Sequence, residues 1–295
     1  MDSWNWNGAR WWKFDFHTHT PASEDYGKGP DPTKQAALKS RTPREWLLDY
    51  MRAGIDCVAI TDHNSGGRID ELKRALGELE RGKPEGFRPL CLFPGVEISV
   101  QGGVHLLAIL GLEKTMSDID SLLGAAGYGG TKGKSDDVTQ KAFCEVVAAI
   151  AAASGLAIPA HVEEANGLFR EFDGTTLEQA LNCETIVAME MVDKASPKPQ
   201  LYVNHKLRWA EVCGSDAHHR DGSGGARYPG SHFTWVKMGT PNLEGLRLAL
   251  LDGPLSVKRS EEETGDPNRH ASLVIESVEV SQARFMGRSG AFRLE

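Results

Sequence analysis

Short apolar runs alternate with helical periodicity along most of the chain. Residues 69–79 and 138–154 carry the spacing of helices, while the short apolar runs between such segments indicate buried strands. The predicted strands span residues 14–20, 56–60, 89–93, 103–110, 156–160, 186–192 and 210–213. Strands that alternate with helices predict a parallel sheet of the α/β class.

One further helix has clear boundary residues. Thr42 is predicted as its N-cap, with Pro43 at the first helical position and Glu45 at the third. Apolar residues then recur at helical spacing, and Gly54 is expected to end the helix. Residues 114–135, in contrast, form a polar, glycine-rich insertion with no recognisable chemistry.

Nearly every predicted strand ends in histidine, aspartate or glutamate. These residues are His17, His19, Asp62, His63, Glu97, His161, Asp193, Asp216 and His218. Polar residues at the carboxyl ends of many successive strands favour a closed or nearly closed barrel, with its site on that face. An open doubly wound sheet would instead collect its chemistry at one switch point, usually behind a glycine-rich turn that this chain lacks.

The first strand carries two histidines on one face. His17 and His19 are two residues apart, so their side chains project side by side from a strand. Imidazole is the commonest protein ligand for zinc-like ions, and the pair would form a preorganised half of a metal site. Taken alone, the pair also fits an exposed edge strand, but the similar ends of the other strands favour metal.

Composition leaves several substrate classes open. The 295 residues are 40% hydrophobic and 25% charged, which suits one large α/β domain or one domain with a small appendage. The net charge of -8 provides no general basic field for nucleic acid. Bound divalent cations would reverse the sign inside a carboxylate-rich pocket, so nucleic acid stays among the candidate substrates.

The five cysteines and the absence of long apolar runs bear on location. The cysteines have no C-x-x-C spacing and are odd in number, and most lie in apolar runs typical of small buried side chains. The sequence shows no signal-peptide pattern, and no apolar run reaches the roughly 18 residues of a membrane span. We expect a cytoplasmic protein in a reducing setting, without membrane contact.

The two ends of the chain differ from its middle. Four tryptophans lie close together near the start, at Trp4, Trp6, Trp11 and Trp12. They are predicted to pack on the outside of the first strand, with a base-stacking platform as the alternative. Residues 1–254 are predicted to form the main domain. Residues 255–295 are expected to be a linker and strand-containing extension, with strands at 273–280 and from 291, leading into a further domain.

The ordered set of motifs resembles the PHP (polymerase and histidinol phosphatase) superfamily of metal-dependent phosphoesterases. The matching pieces are His17-Thr18-His19, Thr61-Asp62-His63, Gly95-Val96-Glu97, His105, Ala160-His161 and Gly214-Ser215-Asp216-Ala217-His218. They extend over most of the chain. The resemblance implies a distorted (β/α)7 TIM-like barrel, here with a short C-terminal β-containing extension, and two to three divalent ions of zinc, manganese or iron.

The resemblance also implies three groups of metal ligands, two of which share the carboxylate of Glu97. The first group is His17, His19, Glu97 and Asp216, the second is Glu97, His105 and His161, and the third is Asp25, His63 and His218. Glu24 is the alternative to Asp25, because the loop at residues 21–27 is one residue longer than is usual in the family. A bridging glutamate sets two metals about 3.5–4 Å apart, the spacing used in phosphoryl transfer.

These assignments predict hydrolysis of phosphate mono- or diesters through a metal-bridging hydroxide. Asp62 would orient a neighbouring ligand, and the loop cations Arg170, Lys194, Arg220 and Arg227 could contact the phosphate. The Trp-rich start and the strand after residue 254 resemble PHP modules that precede AAA- or ABC-type ATPase domains, which favours nucleotide or nucleic acid as substrate. The alternatives are a metal-dependent amidohydrolase, which usually needs a bridging lysine, and a metal-binding regulatory module of such an ATPase.

Overall fold

The computed structural model describes residues 8–270, 278–281 and 291–294. The strands are β1 Arg10–Asp15, β2 Cys57–Ile60, β3 Cys91–Val100, β4 Val104–Ile109, β5 Leu156–Pro159, β6 Ala188–Glu190, β7 Ala210–Val212, β8 Thr234–Met238, β9 Val257–Arg259, β10 Val278–Ser281 and β11 Ala291–Leu294. The helices are α1 Pro32–Lys39, α2 Pro43–Arg52, α3 Ile69–Gly82, α4 Met116–Ala125, α5 Phe143–Ala152, α6 Leu168–Glu171, α7 Gly174–Leu181, α8 Gln200–Asn204 and α9 Leu243–Asp252.

Seven strands form one curled sheet in the order β5-β4-β3-β2-β1-β8-β9, and β6 pairs with β7 in a separate parallel pair. A parallel bridge between Thr18 and Ala217 joins the segment after β1 to the segment after β7. Helices flank this half-barrel, so the α/β prediction is confirmed. The complete distorted (β/α)7 barrel stays a prediction.

The expectation of a purely parallel sheet is wrong at two places. β4 runs antiparallel to both β3 and β5, and β8 runs antiparallel to β1. Only residues 101–103 separate β3 from β4, and such a short connection can make a hairpin but not a parallel crossover. The reversal matters for the site, because it brings the start of β4 to the edge where the parallel strands end.

Two apolar layers hold the strands in place. Alternate residues of the strands, among them Phe14, Ala59 and Phe93, share one buried cluster with residues of α9. The residues that point the other way, such as Val58 and Ile60, pack against α2, α3, α4, α5 and α7. Burial on both faces is what makes these strands nearly continuous apolar runs in the sequence.

The predicted starts of two helices are confirmed, while α3 continues to Gly82, beyond its predicted end. Thr42 caps α2 in a complete capping box with Glu45, and α3 starts where its periodicity begins. The helix predicted over 138–154 is shorter at its start, and α4 lies within the insertion at 114–135. No helix of the described residues is both long and apolar enough to cross a bilayer.

The cysteines and the chain ends follow the expectations in part. Three cysteines are buried, whereas Cys144 is exposed and Cys183 is partly exposed. Trp12 is buried in β1, while Trp4, Trp6 and residues 271–277 lie outside the described residues. β9 pairs with β8, and β10 pairs with β11. The domain division at residue 254 stays a prediction.

Candidate metal centre

The side chains predicted to bind metal meet at one edge of the sheet. His17 and His19 follow β1, His63 follows β2, His161 follows β5, and Asp216 and His218 follow β7, while Asp25 lies in the loop after β1 and Glu97 lies within β3. His105 lies near the start of β4, which is antiparallel to its neighbours and therefore presents its first residues at this edge. The structure thus brings the predicted ligands together from distant parts of the chain.

Glu97 lies at the centre of the cluster and is fully buried. Its Oε1 is 2.8 Å from Nδ1 of His105 and 3.3 Å from Nε2 of His161. Its Oε2 is 2.7 Å from Nδ1 of His63 and 3.3 Å from Nε2 of His17. One carboxylate therefore presents each of its oxygens to a different set of imidazoles, which is the arrangement expected of a bridging ligand.

Beside Glu97, the two histidines that follow β1 face an aspartate. The Nε2 atoms of His17 and His19 are 3.1 Å apart, and Oδ1 of Asp216 is 3.6 Å and 3.2 Å from them, respectively. The strand predicted over 14–20 is wrong at these two residues, because β1 ends at Asp15 and only an isolated bridge at Thr18 continues the pairing. His17, His19 and Glu97 have ligand atoms close enough together to hold one ion.

The third predicted group lies nearer the solvent. Oδ2 of Asp25 is 3.3 Å from Nε2 of His63 and 3.2 Å from Nε2 of His218. The neighbouring Glu24 has a side chain that is 64% exposed and lies 3.7 Å from Lys134. Of the two adjacent acids, the structure therefore turns Asp25 towards the imidazoles.

Several buried atoms of the cluster are close to one another without forming hydrogen bonds. Nδ1 of His63 and Oε2 of Glu97 are only 2.7 Å apart, yet neither atom has a hydrogen-bond partner of acceptable geometry. Nδ1 of His105 and Nε2 of His218 also lack a hydrogen-bond partner. Buried polar atoms are normally satisfied, so their convergence points to a common ligand. Mixed imidazole and carboxylate donors fit divalent ions such as zinc, manganese or iron.

The backbone around the cluster adopts conformations that non-glycine residues usually avoid. His161 and Asp216 have φ values of 29° and 47°, in the left-handed region. Such strain concentrates at functional sites, where the surrounding structure enforces it. Gly214 is needed for a related reason, since a Cβ at this position would lie 2.4 Å from the backbone nitrogen of His17.

Asp62, predicted to orient a ligand, is fully buried behind His19. Nδ1 of His19 is 2.9 Å from Oγ of Ser23, and that hydroxyl donates to Oδ1 of Asp62 at 2.7 Å. Thr20 donates to Asp62 through both its backbone nitrogen and its hydroxyl. With the Ser23 proton directed at Asp62, its oxygen can accept from Nδ1 of His19, which leaves Nε2 free to bind metal.

Sequence reasoning missed Glu190, whose carboxylate is buried in β6 and lies 2.8 Å from Nδ1 of His17. It also missed Asn166, whose side-chain amide lies 3.2 Å from Nε2 of His105. A glutamate inside the apolar run 188–191 was the available clue to the first. No motif in the sequence distinguishes Asn166.

The histidines and carboxylates of the cluster shift one another's pKa values. Burial and the neighbouring His218 and His63 lower the pKa of His19 to about 3, so this ring is neutral. Burial also disfavours charge on His63, but Glu97 and Asp25 outweigh it and raise its pKa to about 10. The surrounding histidines hold the pKa of Glu97 well below its usual value, in spite of complete burial. The central carboxylate is therefore ionised at neutral pH.

The predicted phosphate contacts lie on the surface. Arg170 is exposed on α6, Lys194 forms an ion pair with Glu262, Arg220 lies 3.3 Å from Asp221, and Arg227 is partly exposed. The structure does not place these four cations among the buried ligands. Their role as phosphate contacts stays a prediction.

Comparisons with known proteins give structural matches only. No protein-family model matches the chain, and no curated protein matches it in sequence. The lesion-specific endonuclease PfuEndoQ from Pyrococcus furiosus is similar in structure, with a TM-score of 0.59 and 18% identity over 84% of this chain and 57% of that one. Endonuclease Q bound to a 27-mer duplex with an abasic lesion at its active site gives a TM-score of 0.56 and 17% identity over 81% and 56%.

The chain therefore spans slightly more than half the length of these endonuclease structures. At such low identity, the likeness concerns the fold and not the reaction. The protein shares the α/β fold of the endonuclease Q structures over most of its own length.

Proposed function

We propose that this protein is a metal-dependent phosphoesterase of the PHP superfamily, with a nucleic acid or nucleotide as its favoured substrate. The observation that carries the proposal is Glu97, a buried and ionised carboxylate whose two oxygens face different sets of imidazoles. A bridging carboxylate of this kind is typical of sites that hold two metals for phosphoryl transfer. The ordered motifs of the sequence support the same assignment.

The three ligand groups predicted from the sequence give the proposed metal positions. The first ion would be held by Glu97 together with His17, His19 and Asp216. The second ion would be held by Glu97 together with His105 and His161. The third would be held by Asp25, His63 and His218. When bound, such ions neutralise phosphate charge and lower the pKa of water. The protein's own part is to hold these ligands rigidly and to keep the interior of the site dry.

The outer side of the cluster is the proposed entry for substrate. The side chains of Asp25, Asp216 and His218 are 33%, 31% and 20% exposed, whereas Glu97 and the histidines of the first strand are almost fully buried. A phosphate ester would therefore approach past Asp25 and His218. Arg170 on α6, and Lys194 and Arg227 in loops, remain candidates for contacts to the rest of the substrate.

Nucleic acid is favoured because the fold resembles that of a lesion-specific endonuclease, one structure of which contains a duplex with an abasic lesion. The negative charge of the chain does not oppose this, since bound divalent ions would change the sign of the local field. A following ATPase domain, suggested by the sequence resemblance, stays a prediction.

The proposal is tested by measuring turnover of the manganese-loaded protein. The substrates are p-nitrophenyl phosphate, bis-p-nitrophenyl phosphate, a single-stranded oligonucleotide and a duplex with one abasic site. Asp216→Ala serves as the blank, and Asp136→Asn, at an exposed carboxylate, serves as the matched control. We expect activity that the blank loses and the control keeps, with the preferred ester showing whether the enzyme is a phosphatase or a nuclease. Absence of turnover with all four esters, despite bound metal, would reject the proposal and favour a metal-binding module.

A further inference from the structure

Glu190 connects three separate parts of the candidate site through one buried carboxylate. Its Oε2 accepts hydrogen bonds from Nδ1 of His17 at 2.8 Å and from the backbone nitrogen of His161 at 3.1 Å. Its Oε1 accepts from the backbone nitrogen of Gly214 at 3.1 Å. The side chain is 2% exposed, so these bonds form out of contact with solvent.

We infer that Glu190 is a positioning residue that fixes His17, His161 and Asp216 for metal binding. This inference rests on the proposed metal-binding function of the site and deepens it. Glu190 lies on the far side of the His17 ring from Glu97 and Asp216, which face Nε2. Its effect on the metal would therefore be transmitted through the residues it holds.

The bond to His17 decides which ring nitrogen is available. A carboxylate accepts but does not donate, so Nδ1 of His17 must carry the hydrogen. The lone pair of the neutral ring then lies on Nε2, which faces Oε2 of Glu97 at 3.3 Å. A carboxylate behind a metal-binding histidine fixes ring orientation and raises ligand basicity.

The two backbone bonds act at or near residues with strained backbone conformations. His161 has a φ of 29°, and its backbone nitrogen donates a hydrogen bond to Glu190. Gly214 precedes Asp216, which has a φ of 47°, in the segment that follows β7. The carboxylate thus ties the end of β5 and the end of β7 to the first strand. A single side chain would set the relative positions of ligands from three strands.

Replacement of Glu190 by glutamine is a sharp test, because all three groups that face the carboxylate are donors. The glutamine oxygen can accept hydrogen bonds from the donors on one side of the carboxylate only. The amide nitrogen, itself a donor, must then face a donor on the other side. We expect Glu190→Gln to weaken binding of the most tightly held manganese by about 10- to 100-fold, the usual effect of losing such a partner. Competition with a fluorescent chelator measures this without any need for turnover.

The matched control is Asp56→Asn. Asp56 is also a buried carboxylate that accepts a backbone hydrogen bond, from Lys13, and it pairs with Arg88 before β2, at the end of the sheet away from the site. This variant reports the cost of neutralising a buried acid in the same fold. Manganese affinity should stay within about twofold of the parent protein, since Asp56 contacts none of the proposed ligands.

A double-mutant cycle separates positioning from general support of the fold. In the His17→Ala background, the effect of Glu190→Gln on manganese affinity should become smaller without vanishing, because the ring that Glu190 orients is gone while its bonds to His161 and Gly214 remain. An undiminished effect in that background, or unchanged affinity in Glu190→Gln alone, would overturn the inference. Either result would leave the phosphoesterase proposal standing, since that depends on turnover.

A measurement on the unaltered protein keeps the inference testable if the variant fails to fold. The nitrogen chemical shifts of His17 in zinc-loaded protein report which ring nitrogen binds the metal and which carries the hydrogen. We expect the hydrogen on Nδ1, bonded to Glu190. A hydrogen on Nε2 of a neutral ring would contradict the inference directly.

Discussion

The candidate site has two parts that differ in how their ligands are supported. The inner part comprises His17, His19 and Glu97, which are buried; the outer part comprises Asp25 and His218, which are partly exposed. In the inner part, each histidine is held on its far nitrogen by a side chain, namely Glu190 and Ser23. In the outer part, the other ring nitrogen of His218 faces Asp216, which is itself a proposed ligand, at 3.1 Å from its backbone carbonyl and 3.5 Å from its Oδ1.

This difference suggests two tasks for one cluster. Ligands that are buried and held from behind lose little conformational freedom when an ion binds, so they favour tight and permanent binding. Ligands at the solvent edge can adjust, and they lie where a substrate must enter. We therefore expect the inner ions, which share Glu97, to be retained firmly. The outer ion, held by Asp25, His63 and His218, should exchange.

The largest expected effect is that of complete metal removal. As chelator concentration rises, the ion held by Asp25, His63 and His218 should leave first, followed at higher concentration by the inner ions and the last of the activity. An ion present at a thousandfold excess over its Kd stabilises the folded state by about 4 kcal/mol, so melting temperature should fall in the same steps. Mass-spectrometric metal analysis beside thermal melts measures both. Simultaneous loss of all ions would erase the distinction between the two parts.

Glu97→Gln should have the next largest effect. The variant keeps the shape but removes the charge that both sets of imidazoles share. Loss of several kcal/mol of transition-state stabilisation corresponds to about a thousandfold lower kcat. Bound metal and kcat are measured together, with Asp136→Asn as the control. A variant that retains every ion and its rate would show that Glu97 does not bridge.

Asp25→Asn should act on the outer part alone. We expect one ion to be lost, the inner ions to be kept and kcat to fall by about a hundredfold, through weaker neutralisation of phosphate. Glu24→Gln is the matched control, because its exposed side chain should matter by less than about twofold. Metal stoichiometry and kcat on the best ester decide the outcome. The reverse ranking of the two variants would make Glu24 the ligand.

The smallest expected effect is that of Ser23→Ala. The variant removes the hydroxyl between Asp62 and His19 but no ligand. Affinity of the inner part for manganese should fall by about tenfold. Ser121→Ala, which removes an exposed hydroxyl on α4, is the control for chelator competition. Unchanged inner affinity would indicate that His19 needs no support from behind.

Much of the site could be predicted from the sequence because polar residues follow several short apolar runs. His17 and His19 after β1, and the polar residues after β2, β5 and β7, meet because parallel strands end at a common edge. His105 was predicted from the family resemblance. Its place at this edge depends on β4 running antiparallel to β3. The three-residue connection between these strands permits that direction, whereas the sequence analysis expected a parallel sheet.

The supporting residues were beyond sequence reasoning for a different reason. Glu190 is 173 residues from His17, and its place inside an apolar run indicates burial but does not identify the residue it contacts. Lys194, only four residues further on, was predicted to contact phosphate, yet the structure pairs it with Glu262. Charge and position near a strand end were therefore insufficient to tell which of Glu190 and Lys194 belongs to the site.

By itself, the sequence determined the α/β class, the helix caps and the types of ligand that reach the carboxyl edge, since these depend on local backbone geometry and spacing. The tertiary structure decided which ligands share Glu97, which acid of the Glu24–Asp25 pair faces the imidazoles, and which carboxylate holds His17. These contacts join residues far apart in the chain. They depend on the curl of the sheet and the direction of each strand, because distances of about 3 Å between side chains are set only when all the strands are packed together.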